Sequence, residues 1–378
     1  MLVTLILDME GVASLRDKWQ PLLDQSRPNH VFMTWEWLFT WWKHFGRGRE
    51  LFVLVVEDKG EVIGILPLML FIDYRGAYKR IRSLHFIGHR TSDWMDVIGI
   101  RKAEVIRAAL EYLRGCQHLW DYIDLLDLPE DSDTIAIISE IAHQTGFSFQ
   151  KETTSTCPYV PTTADWERYY QTYVPKQVRV KMNRVINRFR AIGELKVEWS
   201  DASNLMKHLN GFFALHQRRQ EARNQASIFS QEAVRKFHCD LAQTLPLDYL
   251  NCPVLKLDQK VIAAHFGFRY DRRIYGYLST LDPDFSALQP GKVLLRYMVE
   301  DCFNDDNLLE YDFLFGNEPY KYEWAPGERH GCRVFVGNAY MSGWIGEVFR
   351  RTPSYVRRPL TKALSAIAYP PRPNRPRQ

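Results

Sequence analysis

The apolar positions of this chain fall into two alternating rhythms. Leu2 to Leu7 is a short apolar run closed by Asp8 and Glu10, and it reads as a strand. Helical spacing predicts helices over Leu15–Leu23 and Trp35–Phe45. Phe52–Glu57 and Val62–Leu66 are β-rich runs separated by Asp58-Lys59-Gly60, and that turn chemistry predicts a hairpin. Lys79–Ile87 and Met95–Ile100 read as further strands, Ala103–Cys116 as a helix and Tyr122–Leu128 as a buried strand. Ile135–Gln144 reads as a helix that stops at Gly146.

The second half repeats the theme. Pro253–Leu257, Asp258-Gln259-Lys260 and Val261–Phe268 form a second hairpin pattern. Residues 54–70, LVVEDKGEVIGILPLML, and 254–270, VLKLDQKVIAAHFGFRY, both place a hydrophobic strand, an Asp-containing turn, then Val-Ile and a small residue. The echo suggests two copies of one α/β module. After the second hairpin comes a strand, Arg273–Thr280, a loop, Leu281–Gln289, and Pro290-Gly291-Lys292 opening an apolar helix over Val293–Val299. Pro fits a first helical position, and the bare N–H groups with the helix dipole suit an anion.

Around that loop the polar residues cluster. Tyr311–Gly316 reads as a strand that ends in Asn317, Glu318, Tyr320 and Lys321, and strand ends beside a phosphate-binding helix are where open α/β sheets place ligands. Asp312 inside a strand needs a partner, expected to be Lys321 or a basic residue of the Arg-rich segment. In that segment, Pro175–Arg190, Val178, Met182, Val185 and Phe189 keep a 4-3-4 spacing, which predicts an amphipathic helix. Its other faces carry Lys176, Arg179, Lys181, Arg184, Arg188 and Arg190 without an acid, which fits a solvated face or a site for phosphates. A further helix, Asn204–Arg223, carries His216, either a structural histidine or a base.

Composition refines this picture. The 378 residues suffice for two domains, and 46% hydrophobic with 25% charged residues is ordinary for a globular protein. The net charge of +4 is uneven: eight Arg and Lys follow Glu347 with no acid, so a +8 tail leaves residues 1–347 at −4. The basic balance belongs to that Pro-rich tail, and nucleic-acid binding has only basic runs behind it. A short amphipathic helix over Tyr355–Ala368 would suit a membrane surface or a protein partner; a purely solubilising tail fits as well. Six scattered cysteines without C-x-x-C spacing point to reduced thiols, a cytosolic protein and no zinc site. The longest apolar run, Val62–Ile72, is too short to span a bilayer.

FMTWEWLFTWWKHFG, VIGILPL, FIGHRTSDWMDVI, KQVRVKMNRVINRFR, FFALHQRRQ, QPGKVLL and YDFLFGNEPYKYEW, in this order over residues 30–325, together resemble the bacterial CelD-like family of acetyltransferase-like proteins linked to cellulose and other exopolysaccharide synthesis. The resemblance implies an α/β fold of two tandem GNAT-like (acyl-CoA N-acyltransferase) mixed-sheet domains, related in architecture to the Fem aminoacyltransferases. The expected division is 1–155 as a first domain without a cofactor, 156–347 as the acyltransferase-like domain and 348–378 as the tail. It further implies that Leu278 and Ser279 run along the pantetheine of acyl-CoA, and that Gln289, Gly291, Lys292 and Val293 hold its pyrophosphate. This loop carries one glycine where the family's carries two.

The function expected on this basis is transfer of an acyl group, acetyl first, from acyl-CoA to an amine or hydroxyl of a sugar, lipid-linked or cell-envelope precursor. Asp312, Glu318, Lys321 and His216 are the candidate chemistry residues, with Tyr320 as a proton donor. The alternatives are a non-catalytic scaffold of an exopolysaccharide assembly and a Fem-like transferase fed by aminoacyl-tRNA.

Overall fold

The computed structural model describes residues 1–75 and 79–338. The basic tail expected at 348–378, and the end of the expected second domain, lie outside the described residues. The chain forms two compact units: Met1–Ser155 with the segment from His330 onward, and Thr156–Arg329.

The first unit contains β1 (Leu2–Ile6), α1 (Met9–Ala13), α2 (Arg16–Gln25), α3 (Trp35–Phe45), β2 (Arg49–Asp58), β3 (Glu61–Arg75), β4 (Lys79–Phe86), β5 (Ile98–Gly99), α4 (Lys102–Gly115), β6 (Tyr122–Pro129) and α5 (Asp133–Thr145). The hairpin between β2 and β3 turns through Lys59 and Gly60, both at positive φ, as a tight hairpin turn requires. β1, β2, β3 and β4 are antiparallel neighbours. β6 then lies parallel to β4, through Ser83↔Tyr122 and Leu84↔Ile123, with α4 in the connection. The last described strand, from Gly331, runs antiparallel to β6.

The second unit repeats this order with new strands. After β7 (Ser148–Pro161), which enters it at Thr156, come α6 (Trp166–Thr172), α7 (Lys176–Arg190), β8 (Leu195–Glu198), α8 (Leu205–Glu221), α9 (Glu232–Thr244), β9 (Leu250–Asn251), β10 (Val254–Leu257), β11 (Lys260–Tyr270), β12 (Arg273–Leu281), α10 (Pro290–Phe303), β13 (Glu310–Asp312) and α11 (Pro319–Tyr322), and β14 (Gly327–Gly337) leaves it for the first unit at His330. β8, β10, β11 and β12 are antiparallel neighbours, β13 is parallel to β12, and β7 is antiparallel to β13. Each unit is thus four antiparallel strands, a parallel crossover through a helix, and one more antiparallel strand. Among the described residues no helix is long and apolar enough to cross a membrane.

Two expected strands shrink. Met95–Ile100 yields only Ile98–Gly99, because Asp96 turns inward to side-chain partners. Tyr311–Gly316 stops at Asp312, because Leu314 (φ 54°) and Gly316 (φ 126°) leave the extended region. Strands β7, β8 and β14 and helices α6 and α9 are additions to the sequence reading. Helix α7 buries Met182, Val185, Ile186 and Phe189 against the core that contains Val293, Leu294 and Met298 of α10. The 4-3-4 positions are therefore its inner face.

Candidate functional site

The second unit is shaped by a fork. β12 and β13 pair over only three residues, Arg273↔Glu310 to Tyr275↔Asp312. Beyond Tyr275, β12 continues six residues to Leu281 while the chain after Asp312 bends away. The bend is held from inside. Lys321 is 4% exposed, and its Nζ donates to the carbonyls of Phe315 (2.8 Å) and Leu314 (3.3 Å) and pairs with Glu318 at 3.1 Å. The N–H of Leu314 donates to Asp312 Oδ1 at 2.7 Å. Tyr277 to Leu281 are thereby left along one side of β12 without a β13 partner, and Leu278 and Ser279 lie in this stretch.

The expected partner of Asp312 is corrected here. Lys321 bonds elsewhere, and the charge near Asp312 is Arg329, 3.8 Å away, which also bonds Glu310. Asp312 is fully buried in that network. Burial and the neighbouring Asp312 raise the Glu310 pKa against the pull of Arg329 and Arg273. This arrangement fixes the root of the fork.

At the far end of β12 the loop enters α10. Asp282, whose side chain is wholly buried, bonds the N–H of Asp284 and pairs with Lys260 at 2.9 Å and Arg218 at 3.3 Å. Burial opposes its charge, but Lys260, the Asp284 N–H and Arg218 hold its carboxyl below the usual range. The chain then reaches Gln289 in a left-handed conformation (φ 51°) and enters α10 at Pro290, with no side chain capping the helix. A methyl placed on Gly291 would meet only the Leu281 side chain, at 3.6 Å. Internal packing does not require a glycine there, so its smallness keeps the helix start open. A small open cleft of about 40 Å³ adjoins it, lined by Gln289, Lys292, Val293, Glu323 and, from α7, Val178, Lys181, Met182 and Val185. Lys292 is engaged by Glu323 at 2.7 and 2.9 Å, whereas Lys181 is exposed and pairs with no acid among the described residues. Three expected pyrophosphate residues thus share one cleft with the basic helix.

On the open side of β12 the sequence reading missed several groups. Ser279, on β12, hydrogen-bonds His265 Nδ1 across the ladder at 2.8 Å. His265 is 2% exposed, and burial pushes its pKa down to about 3 despite a backbone hydrogen bond with Tyr275. Arg219 of α8 donates to the Ser279 carbonyl at 3.1 Å. It interacts electrostatically with Tyr320, and burial and Arg223 lower its own pKa. Tyr320 presents part of its ring to solvent, yet protein atoms crowd its hydroxyl. That crowding and Glu318 raise its pKa to about 12. His216 is buried and hydrogen-bonded to Ser227 at 2.8 Å; burial and Arg219 lower its pKa to about 4. Arg219 was visible only as one more cation in HQRRQ, and His265 only as an interruption of a strand, so neither carried a distinguishing signal.

The fold has known counterparts. Residues 176–322 match the family described as "Acetyltransferase (GNAT) domain". No curated protein matches the chain. Among solved structures, FemX aligns at a TM-score of 0.62 with 12% identity, covering 91% of this chain and 99% of that one. A conserved protein of unknown function from Bacteroides thetaiotaomicron aligns at 0.57 with 13% identity, covering 89% and 100%. The C-terminal domain of a putative lysylphosphatidylglycerol synthetase from Agrobacterium fabrum aligns at 0.52 with 9% identity, covering 89% and 96%. At such identities the likeness is one of fold. The chain is built as two tandem GNAT-like mixed-sheet domains, and the second contains a GNAT acetyltransferase-type domain.

Proposed function

We propose that the second unit is an acyltransferase that takes its acyl group from acyl-CoA. The observation that carries this reading is the fork: over Leu278–Leu281 the outer edge of β12 is paired by no strand among the described residues, and it leads to a helix start that no side chain caps. A pantetheine arm carries amides that pair with such an edge, and a pyrophosphate suits bare helix N–H groups. Gly291 leaves room for it, with Lys181 adding charge from α7.

Acyl-CoA would supply the activated thioester. The acceptor nitrogen or oxygen bonds to the carbonyl carbon, the C–S bond breaks, and the acceptor proton leaves. The residues here hold and position these groups. Backbone donors of β12 near Leu278 and Ser279 suit the oxyanion. Tyr320, with its pKa at about 12, is protonated at neutral pH and suits donation to the departing thiolate. His216, neutral at pH 7, is the candidate proton acceptor, with Arg219 beside it. Asp312 and Lys321 serve this reading by shaping the fork, and Glu318 by pairing with Lys321. The acceptor class favoured by the resemblance is a sugar or cell-envelope precursor, with exopolysaccharide synthesis as the setting.

A second reading, aminoacyl-tRNA as donor, is favoured by the exposed Lys181, Arg184, Arg188 and Arg190 of α7, which form no ion pairs among the described residues. Calorimetric titration with acetyl-CoA separates the two. Micromolar binding, lost in Gly291→Asp, supports the first. Absence of binding at millimolar acetyl-CoA by the folded protein rejects it.

A further inference from the structure

Helix α7 turns one face into the core of the second unit and the other to solvent. Met182, Val185, Ile186 and Phe189 are buried, while Lys176, Val180, Arg184 and Arg188 are exposed. At four-residue spacing these last four follow one another along the outer face. The stretch 176–190 carries six cations and no acid, whereas the rest of the unit, 156–175 and 191–329, carries 17 cations and 22 acids. The positive charge of the unit is therefore concentrated on this helix. Among the described residues, Lys176, Lys181, Arg184, Arg188 and Arg190 form no ion pair.

The helix itself does not call for these charges. Lys176 stands at the first helical position, no side chain caps the N-terminus and the first turn holds no acid. A cation there opposes the helix dipole. Arg184 and Arg188, four residues apart on the same face, repel each other. An external anion would relieve both conflicts.

Apolar groups interrupt the charge. Val180, between Lys176 and Arg184, is 49% exposed. Tyr173, three residues before the helix, is 58% exposed, and Ile192, two residues after it, is 60% exposed. A nucleic-acid backbone meets the cations but gives valine and isoleucine nothing to bury in. The boundary of an anionic bilayer meets both, with phosphates for the cations, acyl chains for the aliphatic side chains and the headgroup level for tyrosine.

We infer that the outer face of α7 is a docking surface for an anionic lipid bilayer, with Lys176, Arg184 and Arg188 on headgroup phosphates and Tyr173, Val180 and Ile192 as shallow apolar anchors. The inference does not depend on acyl-CoA as the donor.

The test is flotation of the whole chain with vesicles of phosphatidylglycerol and phosphatidylcholine. The expected result is binding that pure phosphatidylcholine vesicles do not support and that weakens as salt rises. Arg184→Gln combined with Arg188→Gln should lower the partition coefficient about tenfold or more. Val180→Ser combined with Ile192→Ser should lower it about fivefold or more, without weakening any binding of unfractionated tRNA. All four side chains are exposed, so both variants should keep the fold, which circular dichroism checks. Arg235→Gln combined with Lys236→Gln removes the same charge from exposed positions of α9 and should leave the partition unchanged. Partition unchanged in either folded α7 pair, as the basic tail alone would give, overturns the proposal. So does an equal loss in the α9 pair, or binding of tRNA without binding of vesicles.

Discussion

The two units contain the same crossover, and they fill it differently. In each, a strand leads through a loop to a helix and back to a parallel strand: β4, α4 and β6 in the first, β12, α10 and β13 in the second. Both helices start behind a residue held left-handed, Arg101 at φ 52° and Gln289 at φ 51°. In both, the parallel pairing lasts two or three residues before the strands part. In the first unit the loop itself enters the gap. The Met95 N–H donates to the Asp127 carbonyl of β6, Ile98–Gly99 pairs with β3, and Trp94, Met95 and Val97 are buried. In the second unit the loop from Asp282 to Gln289 stays at the mouth, and among the described residues no strand pairs with the end of β12 on that side, where only the Arg219 side chain reaches the Ser279 carbonyl. One topology therefore gives a self-filled fork and an open one, and loop length and polarity make the difference.

The largest expected effect tests the filled fork. Asp96 is buried with Lys102 at 2.8 Å and with the Ser132 and Thr134 hydroxyls at 2.5 Å each. Asp96→Ala leaves a buried ammonium and two hydroxyls unpaired, so it should destabilise the first unit by about 3–5 kcal/mol. Urea unfolding followed by tryptophan fluorescence measures this. A loss below about 1 kcal/mol would mean that the loop does not hold the fork closed.

The next effect probes the open fork. Gly291→Ala adds a methyl that meets only Leu281, so it should preserve stability or raise it by up to about 1 kcal/mol. Gly291→Asp should weaken acetyl-CoA binding about tenfold or more by placing an anion against a pyrophosphate. A stable Gly291→Asp protein with unchanged acetyl-CoA affinity would remove the helix start from the site.

How much of this contrast the chain discloses depends on the range of the signal. The helix at 176–190, the hairpins at 52–66 and 253–268 and the Pro290 helix start are local patterns, and they appear where periodicity and turn chemistry put them. Strands β7 and β14 are not local: their partners lie far away in sequence, and neither keeps a clean alternation, so pairing defines them. The expected partner of Asp312 failed for the same reason. Lys321 is close in sequence, but it is drawn to the carbonyls of a turn that only the fold creates, while Arg329 comes from the start of β14. Of the candidate residues, those of the loop fall at a helix start, which announces itself locally, while their role remains a proposal. Arg219 and His265 were not, because nothing local sets them apart.

Protonation offers a smaller, shared test. His85 in the first unit and His216 in the second are lowered to about 4, and His265 to about 3, in each case chiefly by burial. Each is neutral in the folded protein at pH 7, while the unfolded chain takes the proton near the ordinary value of 6.5. Stability is then complete above about pH 6.5 and falls with pH below it, by up to about 1.4 kcal/mol per pH unit for each histidine. The loss levels off near pH 4 for His85 and His216 and near pH 3 for His265. Chemical unfolding between pH 7 and 4 should show this slope, and His265→Gln should remove one proton's share of it. An unchanged slope would place His265 in contact with water.

The smallest effect separates charge from shape at the open fork. Lys181 reaches the cleft from the exposed face of α7 and is tied to no acid among the described residues, so its attraction for a phosphate is screened by water. Lys181→Gln should weaken acetyl-CoA binding only about two- to fivefold, without a change in melting temperature. The deficit should shrink as salt rises, because added ions screen the charge in both proteins. Lys102 makes the matching point in the filled fork: its ammonium is already bound to Asp96, so Lys102→Gln should lower stability and leave acetyl-CoA affinity untouched. Calorimetry at two ionic strengths, run on both variants, reads the contrast directly. A salt-independent deficit in Lys181→Gln would mean that this lysine shapes the cleft rather than charging it.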